Sequence, residues 1–168
     1  MADQAVTLAT ATSASRGSKI ERLSSEQARQ TGFTHRFRIP YDVINTSTWT
    51  TQGDTCTVTL GATPTKFIVT HAAVSIPTAF AGPAGAFTIQ VGTDGDPNNF
   101  VVATTAKTAA TLCPAIGAAP VTLAGSFAAA SDVLTATFTT TASSGALSDI
   151  TAGVAEVLLG IVDLDDLI

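Results

Sequence analysis

The stretch Phe87 to Ala103, FTIQVGTDGDPNNFVVA, decides how the rest of the chain is read. Phe87, Ile89 and Val91 alternate with Thr88 and Gln90, so an extended backbone turns an apolar face one way and a polar face the other. Gly92 to Asn99 then holds almost nothing but turn formers: Gly tolerates positive φ, Pro presets φ, and Asp and Asn side chains bond to their own backbone. The chain must reverse there, and Phe100, Val101 and Val102 bring apolar side chains back toward a core.

The same two-residue period recurs on both sides of this stretch. Arg36 to Val43 reads as a strand with Phe37, Ile39, Tyr41 and Val43 on its buried face, and Pro40, which has no N–H to donate, places it at a sheet edge. Thr55 to Leu60 alternates Thr with Cys56, Val58 and Leu60. Lys66 to Ile76 is apolar on both faces, which predicts a central strand or one whose outer face meets another subunit; His71 within it reads as a structural histidine rather than a ligand. Pro77 to Gly85 reads as a loop and Lys107 to Pro120 as an irregular surface excursion. Val121 to Leu123 is a short strand candidate. Val133 to Thr141 sets Leu134, Ala136 and Phe138 against Thr135, Thr137 and Thr139, and Gly153 to Val162 closes the series. About eight short strands separated by turn residues, with no strong crossover helix, predict an all-β antiparallel sandwich, and a jelly roll is the natural closure.

Composition agrees. The 168 residues suit one domain that buries about two thirds of its unfolded surface. Only 12% are charged, whereas Ala and Thr each occur 29 times, favouring strands with hydroxyl-covered faces. A surface short of charge is poorly protected against association, so a symmetric homo-oligomer is expected. Cys56 and Cys113 lack metal spacing and are expected to be free thiols, although a disulfide between them is conceivable. Trp49 reads as a cover over one end of the sandwich, with an exposed recognition residue as the alternative. No signal peptide is expected, and the apolar run from Val154 to Val162 is too short to span a bilayer.

Charge divides the chain. Residues 1–38 carry Arg16, Lys19, Arg22, Arg29, Arg36 and Arg38 against three acids, whereas the remainder carries Lys66 and Lys107 against ten. The expected organisation is an extended basic arm over residues 1–35, a body over 36–163 and an acidic tail over 164–168. Within the arm, Ser24, Gln27 and Gly32 predict a capped helix over Ser25 to Thr31. The six basic residues are the candidate contact residues. They are spread out and lack interleaved aromatics, so a protein surface is a better partner for them than nucleic acid. A terminal tail without a docking role remains the other reading of the arm.

The stretch quoted first, together with Ala79-Phe80, Ile89-Gln90-Val91-Gly92, Thr93 to Phe100 and Thr151-Ala152-Gly153-Val154-Ala155-Glu156-Val157, resembles small β-sandwich structural proteins of tailed bacteriophages. The resemblance covers roughly Phe37 to Asp163. It implies a virion role: capsid decoration or cement at the capsid surface, with the major capsid protein as partner, a homotrimer as the oligomer and assembly in the host cytoplasm. A tail or fibre module binding a host-surface glycan is the alternative.

No reactive constellation emerges. Asp94-x-Asp96-x-Asn98 begins like a calcium loop, but Asn99 stands where the sixth-position Gly belongs and Thr105 where the bidentate Glu belongs. A turn is the expected reading, and an ion at Asp94 and Asp96 stays open. Nucleophile elbows and phosphate loops are absent, and two of the three Glu lie in the arm. A non-enzymatic protein without catalytic, metal or cofactor-binding residues is expected.

Overall fold

The computed structural model describes residues 3–7, 19–45, 55–60, 67–82, 85–114, 133–140 and 145–163. They form an all-β sandwich of two five-stranded sheets. The first sheet holds, in spatial order, β1 (Asp3–Thr7), β4 (Thr55–Thr59), β9 (Leu134–Thr140), β6 (Phe87–Thr93) and β7 (Val101–Thr105). The second holds β2 (Lys19–Arg22), β3 (His35–Pro40), β10 (Ala152–Asp163), β5 (Phe67–Ala81) and β8 (Ala110–Pro114). All pairings are antiparallel except that of β1 with β4.

Strands β3 to β10 make four nested pairs: β3 with β10, β4 with β9, β5 with β8 and β6 with β7. The pairs fall alternately in the second and first sheets, as in a long two-stranded ribbon folded back and forth, with the Gly92–Asn99 turn at its closed end. The contacts of β5 with β10 and of β6 with β9 then seal each sheet.

The alternation read from the sequence holds where the ladders are regular. Cys56 and Val58 of β4, Phe87, Ile89 and Val91 of β6, Leu134, Ala136 and Phe138 of β9, and Ala155, Val157 and Leu159 of β10 are all fully buried in one core. Three phenylalanines join the two sheets: Phe80 of β5 lies 5.1 Å from Phe87 and 5.8 Å from Phe138, and those two rings stack at 5.7 Å. Cys56 is a buried thiol in no disulfide, whereas Cys113 stands in register with Val74 in the opposite sheet.

Irregular ladders account for the differences from the sequence reading. Strand β5 looked apolar on both faces because a bulge changes its phase. Gly160 pairs with His71 and Ile161 with Val69, so Thr70 is one extra residue, and its hydroxyl donates to the Gly160 carbonyl at 3.1 Å. Phe67 and Val69 therefore face the core on one side of the bulge, and Val74 and Ile76 on the other. His71 is consequently exposed, its ring set edge-on to Phe33 at 6.1 Å rather than among core side chains. The expected loop from Pro77 is strand as far as Ala81, with Pro77 accommodated in a second register shift between Ser75 and Thr78. Within the expected excursion from Lys107, Ala110–Pro114 is β8.

The expected strand through Val43 ends at Pro40. Tyr41–Ile44 is a helical turn, α2, closed by the Asn45 amide donating to the Tyr41 carbonyl at 2.7 Å. Adjacent Val43 and Ile44 are both buried, which a helical turn permits and a two-fold strand does not. Nor is β3 an edge strand, because β2 pairs with its His35–Arg38 portion; Pro40 lies past the end of β2. Trp49, residues 121–123 and the acidic tail lie outside the described residues.

Between β2 and β3 runs α1 (Ser25–Thr31), with Ser24 and Gln27 forming the expected capping box and Gly32 in the left-handed conformation at φ 76°. Its return is tied to the second sheet by Thr34, whose amide donates to the Leu159 carbonyl at 2.9 Å and whose hydroxyl accepts from the Ile161 amide at 2.8 Å. Strand β1 was not foreseen; it lies along β4, whose edge would otherwise leave backbone groups unpaired.

Candidate functional site

Two surfaces stand out, one on each sheet. On the second sheet, antiparallel register sets Lys19, Arg38, Glu156 and Ser75 in one row across β2, β3, β10 and β5. Glu21, Arg36, Leu158 and Ala73 form the next row. Arg38, 45% exposed, approaches Glu156 at 3.7 Å. On α1, Arg29 is 77% exposed and bonds Glu26 at 2.8 Å. Such exposed pairs contribute at most about 1 kcal/mol each to stability, so their cations stay available to a partner. Of the six basic candidates, Arg36 and Arg38 share the outward phase of β3, Lys19 and Arg22 lie on β2, Arg29 lies on α1, and Arg16 is outside the described residues. Glu156, which shares the row of Arg38, was not singled out in the sequence; its place opposite Arg38 depends on β10 pairing with β3, across more than a hundred residues.

On the first sheet, the outward phases of β4 and β9 coincide. Thr55 stands opposite Thr139, Thr57 opposite Thr137 and Thr59 opposite Thr135, with Gln90 of β6 next to Thr137. These seven residues line a trough of about 460 Å³ together with Thr93, Asp94, Pro97 and Val133. Its end wall is the β6–β7 turn. The Asp94 amide donates to the Val133 carbonyl at 3.0 Å, and the Val133 amide donates back to Asp94 Oδ1 at 3.1 Å. Within the turn, the Thr93 amide donates to the Asp96 carbonyl at 2.9 Å and the Asp96 amide to Thr93 Oγ1 at 3.2 Å. Asp94 and Asp96 thus serve as turn-forming residues, and no group of three or more potential metal-ligating side chains occurs among the described residues.

The floor of the trough has an unusual property. Thr135 is 2% exposed and Thr137 4%, yet the hydroxyl of neither has a hydrogen-bond partner among the described residues. Burying a hydroxyl without a partner costs about 1–3 kcal/mol. The alternating threonines were legible in the sequence, but their alignment into one floor required the pairing of β4 with β9.

No family model, curated protein or solved structure matches the chain.

Proposed function

We propose that this chain is a non-enzymatic structural protein of a virion, a capsid decoration or cement protein that binds the major capsid protein as a homo-oligomer. Its body is read as a jelly roll, since β3 to β10 pair as a folded ribbon. A trimer at a symmetry position of the shell, on the capsid surface, is the arrangement proposed. The observation that carries the reading is the separation of charge: basic residues concentrate in residues 1–38 and the rest of the chain is acidic and sparsely charged. A short basic segment attached to a rigid body suits attachment to an acidic shell. Several tethered segments in one oligomer would then multiply a weak contact.

Replacing the exposed Arg29 and Arg38 together by Gln tests this without removing a strand. The variant is expected to keep its oligomeric state by light scattering and its melting temperature, and to lose occupancy on purified capsids in a co-sedimentation assay. Full occupancy by the variant would remove these basic residues from the binding reaction. Gel densitometry of purified particles is expected to give copies in proportion to shell positions; a handful per particle would favour the tail or fibre alternative.

A further inference from the structure

We infer that Asp94–Gly95, in the β6–β7 turn, is a site of spontaneous covalent modification: aspartate isomerises there through a cyclic imide, at a rate set by the bonds that tie the turn to β9. In this reaction the Gly95 amide nitrogen attacks Asp94 Cγ. A C–O bond of the carboxyl group breaks, and that oxygen departs with two protons as water. A second water then reopens the imide. Breaking the new N–Cγ bond restores aspartate, whereas breaking the bond from the nitrogen to the former Asp94 carbonyl carbon leaves isoaspartate, with the main chain running through Cβ. Water is the only co-reactant.

The attacking nitrogen must carry a proton and be unhindered, and this selects one aspartate from ten. Asp96 is followed by Pro97, which has no N–H. Asp42, Asp54, Asp132 and Asp149 precede Val43, Thr55, Val133 and Ile150, whose branched Cβ atoms crowd the nitrogen. Asp94 alone precedes a glycine. Gly95 is exposed, nothing lies within 4 Å of where its Cβ would stand, and its amide donates no hydrogen bond among the described residues. The nucleophile is therefore free, and the restraint falls on Asp94. Closing the ring eclipses the Gly95 nitrogen with Asp94 Cβ, which takes ψ outside the regions that L-residues favour. That rotation is opposed at the main chain and the side chain at once: the Asp94 amide donates to the Val133 carbonyl at 3.0 Å, and Oδ1 accepts from the Val133 amide at 3.1 Å. The Thr93–Asp96 bonds hold the residues on either side. The turn must open before the imide forms. Isoaspartate then adds one atom to the main chain within the turn and moves the carboxylate from Cβ to Cα, away from the Val133 amide.

The test incubates the full chain at physiological temperature and neutral pH, folded and in denaturing urea. Isoaspartate is mapped over time by proteolysis, mass spectrometry and labelling with isoaspartyl methyltransferase. Residue 94 is expected to be the main site in both conditions, and to react about tenfold or more slowly in the folded protein, because only the opened fraction can close the ring. Gly95→Ala should suppress the reaction in urea, where the fold plays no part. Under folding conditions Gly92→Ala, which loosens the turn, should speed it, and the aged parent protein should melt at a lower temperature. Isoaspartate mainly at other residues in urea, or an undiminished rate in Gly95→Ala, would overturn the assignment of the site. Equal rates at residue 94 with and without urea would overturn the control exerted by β9. None of these results depends on whether the protein decorates capsids.

Discussion

Phe138→Ala is expected to destabilise the protein by about 3–5 kcal/mol, a large share of the roughly 5–15 kcal/mol that holds a domain folded. Phe138 is fully buried on β9, between Cys56 of β4 and Ile89 of β6 in the ladder. Its ring stacks on Phe87 at an interplanar angle of 19° and meets Phe80 of the opposite sheet. Truncation removes apolar area and leaves a cavity whose walls belong to two sheets. Because each wall is held by its own ladder, the cavity cannot close cheaply. Chemical denaturation followed by Trp49 fluorescence would measure the loss. As a control, Val102→Ala, at a position 49% exposed, should change stability by less than about 0.5 kcal/mol. A Phe138→Ala loss below about 1 kcal/mol would mean that the two sheets do not depend on this cluster.

Gly92→Ala should have the next largest effect, on the order of 3 kcal/mol, because its Cβ would strike backbone rather than a movable side chain. A Cβ at residue 92 would lie 2.0 Å from the Asp96 carbonyl oxygen and 2.6 Å from the carbonyl carbon of Pro97. The turn must then swing away. That would strain the Thr93–Asp96 bonds and the paired bonds between Asp94 and Val133, which join the turn to β9. Faster amide exchange at Asp94 and Val133 together with a lower melting temperature is the expected signature. Gly95→Ala supplies the comparison, since nothing lies within 4 Å of a Cβ there. It should be neutral or slightly stabilising, through reduced freedom of the unfolded chain. Equal effects at the two glycines would show that the turn is not packed as described.

The local pattern of the chain was enough to identify the sheet layers. Two-fold alternation in 55–60, 87–91, 133–141 and 153–162 marks which residues face inward, since successive side chains on a strand point to opposite faces whatever it pairs with. The capped helix over Ser25–Thr31 was equally legible, because capping involves residues only three or four positions apart. Long-range pairing decided the rest. Thr70 becomes a bulge only against Gly160 and Ile161, and that single insertion moves His71 from the expected apolar face to solvent. Ala110–Pro114 has no alternation to announce it and is a strand because β5 offers it an edge. The trough arises in the same way. Its threonines were visible one strand at a time, but whether a hydroxyl lies in water or is buried beside five others depends on which strand becomes its neighbour, and hydrophobic periodicity along one segment carries no information about that.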